Sequence, residues 1–150
     1  MKREYLELTR LIERLHRRFL DVLRAELGRM GIKELNAVQA LLLSNIGEEE
    51  IAIRDLVERG YYQGSNVSYN IKKLTDMGYL NQERSQHDRR SVTVRLTPKA
   101  LDVVKRVREL EDVNAAKVEV SGLDQGNLES ATKTLRQIER LWAEHIRYGA

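Results

Sequence analysis

The stretch at residues 53–96, IRDLVERGYYQGSNVSYNIKKLTDMGYLNQERSQHDRRSVTVRL, constrains the fold most, because its hydrophobic period switches within a few turns from helical to strand-like. Ile53, Leu56 and Val57 set apolar groups on one side of a short helix, and the polar, aromatic corner at 60–64 lets the chain turn. Ser65 is expected to cap a second helix, on which Val67, Ile71 and Leu74 form one apolar stripe. Asn66, Ser68, Tyr69, Lys72 and Lys73 lie away from that stripe. Gly78 suits the helix exit, and 79–84 and 91–96 read as strands flanking a basic loop at 85–90. The pattern is helix, turn, helix, wing: a mainly α fold with a small β wing.

Charge is concentrated on the same stretch. The whole chain carries a formal net charge of +3, too little to define a partner. Between residues 61 and 99, however, Lys72, Lys73, Arg84, Arg89, Arg90, Arg95 and Lys99 face only Asp76, Glu83 and Asp88, seven cations against three acids. A cationic wing beside a small-polar helix face fits double-stranded DNA. Asn66, Ser68 and Tyr69 are the candidates for base contact: an Asn amide matches adenine N6/N7, and Tyr can meet a thymine methyl. Lys72, Lys73 and Arg84 are the phosphate candidates. On the wing, Arg89 and His87 are placed to approach the DNA, with Asp88 and Arg90 bracing the loop. The bland alternatives are a solvated helix face and a solvated loop. Tyr61 and Tyr62 read equally as packing anchors or as DNA contacts, and His87 is more often a plain surface residue than a pH switch.

Long amphipathic helices flank this core. Tyr5, Leu8, Ile12, Leu15, Phe19, Val22 and Leu27 mark one over residues 3–28, and Leu128, Ala131, Leu135, Ile138, Trp142 and His145 mark another over 127–148. Residues 35–43 suggest a further helix capped by Asn36, and Thr97 caps one that starts at Pro98 and whose apolar side weakens near Leu110. A chain of 150 residues with 41% hydrophobic content fills one core, and its single proline argues against a linker, so residues 1–150 are expected to form one domain. Such a core has little surface to spare for two long stripes. A homodimer with the terminal helices intertwined is the expected solution, packing within one subunit the alternative.

Other classes are poorly supported. The chain has no cysteine, so disulfides and thiolate sites are excluded, and His16, His87 and His145 sit on separate elements without metal-ligand spacing. No H-E-x-x-H, P-loop, dinucleotide fingerprint or G-x-S-x-G elbow occurs. No enzyme, metal or cofactor is implied. No apolar run approaches a membrane span and the first residues lack a secretory pattern, so a cytoplasmic location without membrane association is expected.

The run Asp88-Arg89-Arg90-Ser91-Val92-Thr93-Val94-Arg95-Leu96-Thr97, with Val67-Ser68, Leu74 and Gly78-Tyr79-Leu80 upstream, resembles the multiple-antibiotic-resistance-regulator (MarR) family of bacterial transcription regulators. The resemblance spans most of the chain. It implies a winged helix-turn-helix at 35–99, dimerisation helices at 3–28 and 127–148, and a homodimer on a roughly palindromic operator, more often a repressor than an activator. It also implies a cleft that admits a small effector, for which Tyr5, His16, Phe19 and Arg24 are the candidates beside their plainer reading as core or dimer contacts. Two positions depart from the family pattern: His87 stands where a wing-tip arginine is usual, and Ala100 where a glycine often follows Leu-Thr. The competing class is a protein-interaction module that keeps the winged-helix shape without sequence-specific DNA affinity.

Overall fold

In the computed structural model, which describes residues 1–84 and 91–149, the order of elements is α1 (Lys2–Arg29), α2 (Ala37–Ile46), β1 (Ile51–Ala52), α3 (Ile53–Gly60), α4 (Gly64–Asp76), β2 (Leu80–Arg84), β3 (Val92–Leu96), α5 (Pro98–Val120) and α6 (Gln125–Tyr148). The wing positions His87, Asp88, Arg89 and Arg90 lie outside the described residues. The chain divides into two compact units, Met1–Leu110 and Glu111–Ala150.

The first unit holds the core. Leu42, Leu43 and Ile46 of α2, Leu56 of α3, and Val67, Ile71 and Leu74 of α4 are buried together with Tyr79, Leu80, Val94 and Leu96 from the sheet and Val103 and Val104 from α5. The three strands are antiparallel in the order β1-β3-β2. The register pairs Leu80 with Leu96, Gln82 with Val94 and Arg84 with Val92, so Val94 and Leu96 face the core while Thr93 and Arg95 point away. The last turns of α1 join this unit through Leu23 and Leu27, and Leu23 clusters with Ala37 and Val107.

Three helices of this unit end alike. After α1, Ile32 N–H donates to the Leu27 carbonyl and Gly31 N–H to Gly28; after α3, Tyr62 donates to Val57 and Tyr61 to Glu58; after α4, Tyr79 donates to Leu74 and Gly78 to Thr75. Each is a Schellman closure, which needs a left-handed residue just past the helix. Gly31 and Gly78 supply it without steric cost, whereas the third is Tyr61, at φ 50° and ψ 44°.

The α4 helix begins earlier than its sequence suggests. Gln63 is the N-cap and its side chain caps nothing, so Ser65 sits inside the first turn instead of capping it. Only 61–63 separate α3 from α4, and the Schellman closure has already turned the chain when Gln63 is reached. Two other starts are capped reciprocally: Asn36 with Gln39 on α2, and Asp124 with Asn127 on α6. Thr97 Oγ1 accepts from Ala100 N–H at the start of α5. The α5 helix continues ten residues past Leu110, to Val120.

In the second unit, α6 buries none of its residues. Leu128, Leu135, Leu141, Trp142 and Ile146 are all exposed. Much of α1 shares this condition, with Tyr5, Leu11, Leu15, Phe19 and Val22 uncovered.

Candidate nucleic-acid interface

The α4 helix has two chemically different sides. Val67, Ile71 and Leu74 are buried in the core, and at 100° per residue Ser65, Tyr69 and Lys72 fall on the opposite side, flanked by Asn66, Ser68 and Lys73. All six are exposed, Tyr69 at 60%. The proposed reading residues are thus gathered on one solvent-facing surface of one helix. Its electrostatics differ from the sequence count. Arg95 pairs with Glu50 at 3.7 Å and Lys99 with Glu34 at 3.1 Å, so two of the seven cations are answered by acids outside the counted stretch. The Lys73 ammonium lies 5.2 Å from the Tyr69 ring centroid, which ties a phosphate candidate to a base candidate by a cation–π contact. Among the described residues Lys72 has no ion-pair partner, and Arg84 ends β2.

Polar groups of α2 hold α4 at one place and the turn that leads into it at another. The Gln39 amide, only 4% exposed, accepts from Asn36 N–H at 3.0 Å and donates to Asn70 Oδ1 at 3.2 Å. At the other end of α2, Asn45 donates to the Tyr62 hydroxyl, while its carbonyl accepts from Arg59 at 3.2 Å. The Tyr62 ring fills the space that a side chain at Gly60 would need. The first tie had one visible signal, the Asn36-x-x-Gln39 capping pattern; the second had none.

Two charged clusters were equally hidden. Glu26, 8% exposed, binds Arg106 at 2.6 Å and Arg29 at 3.1 Å, joining α1 to α5. The hydrogen bond from Arg106 is the main reason its carboxyl titrates below the usual range, and burial opposes the shift. Tyr79 donates to Glu34, and the Lys99 ammonium lies 4.4 Å from the Tyr79 ring centroid. Burial and then the Glu34 carboxylate push the Tyr79 phenol well up, while the hydrogen bonds from Tyr79 and then Lys99 lower Glu34.

The effector candidates are strung along α1. Tyr5 and Arg24 stand about 28 Å apart at 1.5 Å rise per residue, too far for one small ligand to touch both on one protomer. Arg24 pairs with Asp21. A groove of about 510 Å³ between Met30–Glu34, Tyr79, Lys99 and Val103, and another of about 400 Å³ beside Lys33, Asn36, Gln39 and Lys73, are lined by none of the four. Among the described residues no group of His, Asp and Glu is placed to hold a metal ion, and no helix is long and apolar enough to cross a membrane.

Residues 35–100 match the sequence profile of a winged helix DNA-binding domain, which is the class the fold defines. The chain is 39% identical over 145 residues to the exopolysaccharide II synthesis transcriptional activator ExpG of Rhizobium meliloti (strain 1021), covering 97% of this chain and 75% of that protein. Its fold is similar to Streptococcus pneumoniae FabT in complex with DNA (TM-score 0.75, 16% identity, 93% of this chain and 98% of that one). It is also similar to a cysteine-to-serine mutant of MarR from E. coli complexed with operator DNA (TM-score 0.72, 18% identity, 90% and 95%). The chain belongs to the MarR family of winged-helix regulators. It is a DNA-binding transcription regulator.

Proposed function

We propose that the protein acts as a homodimer that reads a pseudo-palindromic operator, setting two copies of α4 into successive major grooves. The observation that carries this reading is the pairing of a polar, exposed α4 face with apolar stripes on α1 and α6 that the chain leaves uncovered. A second copy, related by a two-fold axis, offers the same stripes in return and sets the distance between the two reading helices. Asn66, Ser68 and Tyr69 are proposed to reach base edges, with Lys72, Lys73 and Arg84 on the phosphates. His87 and Arg89 keep their proposed wing contacts, braced by Asp88 and Arg90.

The direction of control depends on where the operator lies. Repression by occluding a promoter was the expectation from the fold type, whereas the relative that is 39% identical is an activator, which supports activation here. A small effector that binds one spacing of the reading helices more tightly than another would shift operator occupancy. His16, Phe19 and Arg24 remain its proposed contacts, Arg24 lying about 8 Å beyond Phe19 along α1, whereas Tyr5 lies about 16 Å before His16, too far to share one small ligand with Arg24 on one protomer.

The test is selection of genomic fragments by the purified protein at two salt concentrations, with the protein's mass measured in solution. A two-fold symmetric site that survives moderate salt, bound by two chains, supports the reading. Uniform, salt-labile retention overturns sequence specificity, and no retention brings forward the protein-interaction alternative. Asn66→Ala should then narrow the gap between cognate and scrambled operators, and equal losses on both would remove its base-reading role.

A further inference from the structure

We infer that Tyr61 is a DNA-backbone contact whose hydroxyl donates to a phosphate at the rim of the groove that α4 enters. The inference rests on the DNA-reading orientation of α4 proposed above. Three helices of the first unit close by the same pair of hydrogen bonds, and each closure demands a left-handed residue. At two of them the residue is glycine, which the conformation favours. At the third it is a tyrosine, the one non-glycine residue with positive φ among those described. Packing does not account for the choice, because the Tyr61 side chain is 80% exposed.

The neighbours of Tyr61 take the structural work away from it. Tyr62 packs against the core and is held by Asn45, Gly60 leaves room for the Tyr62 ring, and Arg59 ties the end of α3 to the Asn45 carbonyl. The turn is thereby fixed on one side, and Tyr61 stands out from it. Tyr61 precedes the first residue of α4, Gly64, by three positions. When the start of a recognition helix lies against base edges, the residues just upstream lie where the sugar-phosphate strand passes. A neutral hydroxyl on a stiff ring is a suitable phosphate donor there, and it positions the helix without reading sequence.

Two substitutions separate this role from a structural one. Tyr61→Gly relieves the left-handed strain, so the thermal midpoint should hold or rise, while affinity for cognate and scrambled operators falls by a similar factor, roughly three- to tenfold, the size of one lost hydrogen bond. Tyr61→Phe keeps the ring and should show much of that loss with an unchanged salt slope, because no cation is removed; Lys72→Ala should lower the slope by about one. Wild-type affinity in both Tyr61 variants overturns the inference while leaving the regulator reading intact. A lowered midpoint in Tyr61→Gly assigns the residue to folding and overturns it too. If the wild-type protein itself retains no DNA, the regulator reading fails and this inference falls with it.

Discussion

The body around α2, α3, α4 and the sheet differs from α6 and the exposed part of α1 in whether the chain answers its own apolar side chains. In the body, Leu42, Leu43, Leu56, Ile71 and Leu74 are essentially inaccessible to water. On α6, Leu135 and Trp142 remain 42% and 40% exposed, although they recur with the same helical regularity. Periodicity tells which face of a helix is apolar; it does not tell whose surface covers that face. The contrast fits a protein whose reading head folds by its own contacts and whose remaining stripes are addressed to a second copy.

The comparison breaks first at the core. Leu74→Ala should cost about 2–5 kcal/mol, read by urea denaturation, because it empties a site packed on every side; a loss below about 1 kcal/mol would mean that the body is looser than its burial indicates. The stripe should respond in association instead. Trp142→Ala is expected to weaken dimerisation by roughly 30-fold, about 2 kcal/mol, in sedimentation at a series of concentrations, with the unfolding of the body little changed. A variant as dimeric as the parent would detach Trp142 from the interface.

Glu26 sharpens the comparison at the border of the two conditions, where α1 passes from exposed stripe to packed end. Its carboxyl is held below the usual range by Arg106, with Arg29 adding to the shift. A depressed folded-state value means that its stabilisation is fully present above the ordinary glutamate range near 4.5 and is lost as pH falls through the lower folded value. Glu26→Gln should cost about 1–3 kcal/mol at neutral pH, the worth of hydrogen bonds to a charged group. Its denaturation profile should also fall less steeply on acidification than the parent's, and parallel profiles would remove Glu26 from the acid response.

The smallest expected effect lies in the caps. Asn36→Ala and Asp124→Ala each remove one half of a reciprocal pair, worth about 1 kcal/mol. The first should lower the main unfolding transition; the second should appear as faster amide hydrogen exchange over the first turn of α6. Equal exchange in parent and Asp124→Ala would show that this cap contributes nothing to that turn.

Much of this architecture is written locally. The stripe Val67, Ile71, Leu74 located α4, alternation located β3, and Asn36 located the start of α2, because each signal lies within one or two turns of what it controls. The start of α4 was misplaced for the complementary reason: Ser65 has the chemistry of a cap, but the preceding closure at Tyr61 and Tyr62 had already set where the chain could turn. The α5 helix outran its apolar pattern because Glu, Ala and Lys sustain a helix without being buried. Nothing in residues near Glu26 announces Arg106, eighty positions away, and the charge count around the wing erred by omitting Glu34 and Glu50. The polar face of α4 was legible because it lies on a single helix; the ties that aim it were not, because they join elements.

One of those ties sets how the reading helix can move. A single amide, that of Gln39, satisfies the first free N–H of α2 with its oxygen and grips Asn70 with its nitrogen. Sliding α4 along its neighbour therefore strains the opening turn of α2 at the same moment. The opening turn of α2 and the middle of α4 are thereby coupled through one side chain, and Gln39→Ala would release both at once.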